Sequence, residues 1–154
     1  MDLAPVATKN LKSAYRIFRQ DLEALPEDAF DKRFADRTRT VADIVYEVNL
    51  VNDHVGMVMR GEEPFTWPEE RWITAPAEIR TKAAVLASLD ASSAKLIETV
   101  DGFSSEELEQ TVQTEHGERT RFDRCNFVTL HLWYHSGQLN YIQTLLGDDA
   151  GHWN

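Results

Sequence analysis

Apolar residues recur on steps of three and four in four long stretches of this chain, and each stretch predicts a helix with one buried face. From Val6 to Leu25 the face comprises Leu11, Ala14, Tyr15, Phe18, Leu22 and Leu25, and Pro26 marks its end. Glu27 to Arg37 is charged and aperiodic, which suits a connector. Thr38 or Thr40 can cap the second helix, in which Val41, Ile44, Val45, Val48, Val51, Val55 and Val58 trace a wide stripe ending near Gly61. Many of these side chains are β-branched, but the pattern does not alternate and a run of about 20 residues exceeds ordinary strands. The third stretch, Ala77 to Val100, carries Ile79, Leu86, Leu89, Leu96, Ile97 and Val100. The fourth, Asn126 to Gly147, has Asn126 or Asp123 as its N-cap and Gly147 as its left-handed stop, and its stripe of Phe127, Leu130, Tyr134, Tyr141, Ile142 and Leu145 is expected to be buried. Gly137 costs roughly 1 kcal/mol in a helix interior, so a close backbone contact is expected there.

The segments between helices are informative too. Gly61 to Pro76 holds Pro64, Pro68 and Pro76 with Phe65, Trp67 and Trp72. This predicts an ordered loop that either covers a cavity or packs its aromatics over the end of the helices. Asp101-Gly102 ends the third helix, and Ser104-Ser105-Glu106-Glu107 reads as the capped start of a short one. Val112 to Phe122 contains a His116-Gly117 turn between polar arms, the pattern of a short hairpin with His116 in solvent. Four main helices without an internal repeat make this an all-α chain, a helical bundle with long connecting loops in one domain spanning residues 1–154.

Candidate chemistry lies on two of the helices. His131 and His135 stand four apart on one face of the last helix, with Cβ atoms about 6 Å apart, close enough for two imidazoles to meet one cation. Two ligands are too few, and a third must come from elsewhere. Glu47 supplies the obvious candidate. It lies three after Ile44 and four before Val51, on the inward side of the second helix, where a carboxylate needs a cation, a proton or hydrogen bonds. His54, seven residues on, shares that face as a reserve. The alternative is an aromatic-rich core helix whose histidines are hydrogen-bonded at its margin.

Composition narrows the field. The 154 residues contain 26 acidic and 16 basic side chains, a formal charge of -10, which opposes binding to nucleic-acid backbones. The single cysteine, Cys125, excludes an intrachain disulfide, suits a reducing compartment such as the cytoplasm, and reads as a buried structural thiol. No apolar run is long enough to span a bilayer and no signal-peptide layout is present, so no membrane partner is expected. Trp133 sits on a different face from the inward histidines, and either the chain itself or a second copy must cover it.

The run HLWYHSGQLNYIQTLLG resembles the last helix of DinB-like bundle proteins, and RTVADIVYEVNLVNDH resembles their second signature segment. Helix order and the polar hairpin match as well, so the resemblance extends over nearly the whole chain. It implies a four-helix bundle that binds a divalent metal, nickel or zinc, through Glu47, His131 and His135, with Glu47 standing where the family usually has histidine. It further implies a small-molecule substrate, a thiol-dependent transferase or a hydrolase activity, a low-molecular-weight thiol such as bacillithiol or mycothiol, and a homodimer formed through bundle helices. The competing expectation is a dimeric bundle without catalysis, persisting as a binding module.

Overall fold

The computed structural model describes residues 2–70 and 72–153. Its long helices are α1 (Leu3–Ala24), α2 (Val41–Arg60), α3 (Lys82–Asp101) and α5 (Arg121–Leu145); the short α4 (Ser105–Glu109) and a two-stranded hairpin, β1 (Thr111–Thr114) and β2 (Gly117–Thr120), lie between α3 and α5. The fold is the expected four-helix bundle with a small hairpin before the last helix. Each long helix packs on two others, α5 and α3 both lying between α1 and α2.

Side-chain ties fix the directions. Asn49 and Asn52 of α2 donate to Ser88 and Ser92 of α3 at 3.0 and 2.9 Å, and Arg60 reaches Thr99, so α2 and α3 run parallel. Arg121 Nε donates to the Met59 carbonyl at 2.7 Å, while Glu47 faces His131, so α2 and α5 run antiparallel. A parallel α2–α3 pair requires the chain to return along the bundle before α3 begins. This is why the aromatic connector is long: by Ala75 its backbone N–H donates to Asp43 Oδ1 at 2.8 Å, back at the start of α2. The return also delays α3, which starts at Lys82 with Thr81 as N-cap rather than at Ala77.

The first two stripes pack as expected, with Leu11, Phe18, Leu22, Leu25, Val45 and Val48 among the fully buried side chains. Thr40 caps α2 through a reciprocal box with Asp43, and Gly61 ends it in the left-handed region at φ 74°, a conformation open to glycine without strain. The last helix differs from expectation in two respects. It starts at Arg121, because Thr120 and Asp123 form a capping box directly at the end of the hairpin, leaving Asn126 and Asp123 inside the helix. Its buried face is Cys125, Val128, Leu132, His135, Ser136, Leu139, Ile142 and Gln143. Phe127, Leu130, Tyr134, Tyr141 and Leu145 instead point outward, Leu130 and Tyr141 being 68% and 67% exposed. Nothing of the described chain approaches within 4 Å of a Cβ built on Gly137, so the expected intramolecular contact there does not occur.

Trp133 is partly covered by the chain itself: the C-terminal segment folds back and sets Trp153 edge-on to it, with ring centroids 5.5 Å apart. Trp153 Nε1 in turn donates to the buried Asp21 at 2.7 Å. Among the described residues, no helix is long and apolar enough to cross a membrane.

Candidate metal centre

Helix geometry brings the candidate residues to one point. The i, i+4 spacing on α5 aligns His131 and His135, and the antiparallel crossing of α2 sets Glu47 opposite them. His135 Nε2 lies 2.9 Å from His131 Nε2, and Glu47 Oε1 lies 3.4 and 3.5 Å from the two nitrogens. All three ligand atoms are within 4.8 Å of one another. His135 is fully buried, while the side chains of His131 and Glu47 retain 13% and 20% exposure, so the cluster meets solvent at His131 and Glu47. His54, the reserve candidate, is elsewhere: it packs edge-on to Phe65 and Trp67, and its ring nitrogen is 3.8 Å from Glu115.

Two residues that sequence reasoning missed orient this triangle. Gln138, one turn past His135, places its Oε1 2.8 Å from His135 Nδ1. That amide oxygen can only accept, so the ring carries its proton on Nδ1 and turns a lone pair on Nε2 toward the cluster. Arg39 pairs with Glu47 Oε2 and reaches Gln138 Oε1 at 3.4 Å, leaving Glu47 Oε1 to face the histidines. The Arg39 guanidinium itself lies over the Trp72 ring, 4.9 Å from its centroid. For Gln138 the spacing was a signal, since position 138 is i+3 from His135; the inward carboxylate at position 47 called for a cation, a proton or hydrogen bonds without pointing to Arg39. His131 is held less by hydrogen bonds, since its buried Nδ1 has no partner among the described residues. Stacking on Phe127, at 5.9 Å and 16° between planes, fixes its ring instead.

Electrostatics agree with a cation-accepting cluster. Burial alone would raise the Glu47 carboxyl, but its contacts with the His131 and His135 rings and the Arg39 charge outweigh it and hold the group well below the usual carboxylate range. Burial pushes His135 below its ordinary value, against the pull of Glu47, which favours the neutral imidazole that ligation requires. A lone pair on His135 and an anionic Glu47 oxygen thus converge with His131 Nε2. A proton can bridge only one pair of these atoms at a time, whereas a cation serves all three. Triangle edges of 2.9 to 3.5 Å are those expected between ligands bonded at about 2.0–2.2 Å to one small ion, so this donor set fits a divalent metal. Cys125 contributes nothing here: it is buried against the Ala7 carbonyl, and burial pushes its thiol up to about 11.

Comparison with known proteins supports this picture at the level of family and fold. A family model described as the DinB superfamily matches residues 10–139. The crystal structure of a conserved protein from Enterococcus faecalis superimposes with a TM-score of 0.72 at 18% identity, covering 96% of this chain and 99% of that one. No curated protein matches the sequence.

Proposed function

Since the chain belongs to the DinB superfamily, we propose that Glu47, His131 and His135 hold a divalent cation, nickel or zinc, and that the protein is a metal-dependent enzyme acting on a small molecule. The observation that carries this reading is the triangle of ligand atoms with edges of 2.9 to 3.5 Å. A metal held there supplies Lewis acidity, lowering the pKa of a thiol or a water so that a nucleophile is available near neutral pH. Two imidazoles and a carboxylate suit zinc or nickel and leave coordination positions for a substrate or a low-molecular-weight thiol. The remaining work falls to the chain. Gln138 fixes the tautomer and plane of His135, Arg39 holds one carboxylate oxygen so that the other stays directed at the site, and Phe127 restrains His131. A thiol-dependent transferase and a hydrolase share this nucleophile-generating step, and the choice of thiol or water distinguishes them.

The test is linkage between metal and folding. A ligand that binds only the folded state at 100 times its Kd adds about 2.7 kcal/mol of stability. Zinc or nickel titrated into chelator-treated protein should raise Tm by several degrees, and His131→Ala should abolish the rise. An unchanged Tm across the titration would favour the non-catalytic module.

One observation bears on that second reading and on self-association. Leu130, Tyr134, Tyr141 and Leu145 form an exposed apolar stripe along α5 with the open backbone of Gly137 at its middle. A second copy packed along this face would supply the close approach that the chain itself does not make at Gly137, and the protein is proposed to be a two-fold homodimer.

A further inference from the structure

Two helical turns from the triad, in the same α2–α5 groove, lies a polar cluster that the metal centre leaves unused. Because the helices are antiparallel, the residue seven after Glu47 and the residue seven before His131 reach the same level: His54 and Arg124. They line a cavity of about 670 Å³ beneath the hairpin, which adds Glu115 and Arg119. That volume is in the range of small-molecule sites.

The cations and anions of this cavity are not equally engaged. Asp123 is committed to the capping box, accepting the Thr120 N–H at 3.2 Å, and Glu115 is exposed on the hairpin beside His54. Arg124 has no carboxylate within ion-pair distance among the described residues, and its buried Nε lacks a hydrogen-bond partner. Its guanidinium lies over the Phe127 ring at 4.8 Å, and Phe127 stacks on His131, so a continuous ladder of flat groups runs from the cation to the triad. Burial, and then the neighbouring Arg119 charge, lower the Arg124 pKa; the Glu115 charge offsets part of this, and a bound anion would relieve the rest. The helix and connector side of the wall, Val51, Val55, Val58 and Trp67, is apolar, while Thr114 and His116 of the hairpin add polar groups.

We propose that this cavity binds an organic acid, with its carboxylate on Arg124 and Arg119 and its apolar body along Val51, Trp67 and Phe127. A guanidinium fork matches one carboxylate, whereas Glu115 and Asp123 at the rim and the chain's net charge of -10 oppose a polyanion such as a phosphate ester. Seven residues of helix separate Arg124 from His131 by about 10 Å, so an acid of medium length would direct its far end to the triad. That orientation rests on the metal-centre reading; the carboxylate anchor does not.

Calorimetric titration with octanoate and its uncharged analogue octanamide tests the anchor in wild type, Arg124→Gln, Arg124→Lys and His131→Ala. Wild type should bind the acid about 10- to 100-fold more tightly than the amide. Arg124→Gln should erase the preference, Arg124→Lys should reduce it, and His131→Ala should leave it intact. Equal binding of acid and amide by wild type, or a preference undiminished in both Arg124 variants, overturns the proposal. A preference lost only in His131→Ala also overturns it, because the carboxylate then sits on the triad. Metal content measured in the same samples separates the two ideas: a protein that prefers the acid yet retains no zinc or nickel keeps this anchor and loses the metal centre.

Discussion

Glu47 has one oxygen committed to Arg39 and the other turned to two imidazoles, and this division of labour makes a carboxylate workable at an inward position. Its inward placement was legible from Ile44 and Val51 on either side, and the histidine pair from its spacing. Arg39 was not, because a residue in an irregular connector has no periodicity to place it. Gln138 was legible only once His135 was taken as a ligand, since an i+3 glutamine is otherwise an ordinary surface residue. Its accepting oxygen fixes the His135 tautomer, so Gln138→Ala should weaken zinc affinity by about 10- to 100-fold while leaving the helical spectrum unchanged. Competition with a chromophoric chelator measures this, and an unaltered affinity would reduce Gln138 to a bystander.

At the scale of elements, α5 shows how the same periodicity can be read onto the wrong face. Large aromatic and aliphatic side chains at 127, 130, 134 and 141 drew the expected core, yet the buried side uses smaller or polar residues such as Cys125, Val128 and Ser136. Close packing against α1 favours those volumes, and Ser136 meets the buried Asp21. The start of α5 was readable: Thr120-Arg121-Phe122-Asp123 has the capping-box spacing, with the hairpin delivering the chain to it. Thr120→Ala removes one half of that box and should cost about 1 kcal/mol in urea unfolding. Loss well under half of that would mean that the hairpin alone positions the helix start.

For the whole molecule, four helices and a hairpin followed from pattern, but their directions did not. The parallel α2–α3 pair turns the aromatic connector into a return path along the bundle, and in passing it supplies Trp67 to one cavity and sets Trp72 over Arg39. The surplus apolar surface anticipated at Trp133 is joined by the outward stripe of α5, and the C-terminal segment covers only part of that indole, which stays 39% exposed. A dimer through this stripe should bury at least about 1,000 Å². Sedimentation at micromolar concentration should give twice the chain mass for wild type and the single-chain mass for Tyr141→Asp; a wild-type monomer that does not change on concentration would count against the interface. The central claim is that two helices meet to hold one metal through two imidazoles and a carboxylate. X-ray absorption of zinc- or nickel-loaded protein addresses it directly. The account predicts one ion per chain with a nitrogen and oxygen shell at about 2.0–2.2 Å and the outer-shell scattering of two imidazoles, reduced to one in His131→Ala. A sulfur shell at about 2.3 Å, or a spectrum that His131→Ala does not change, would contradict it.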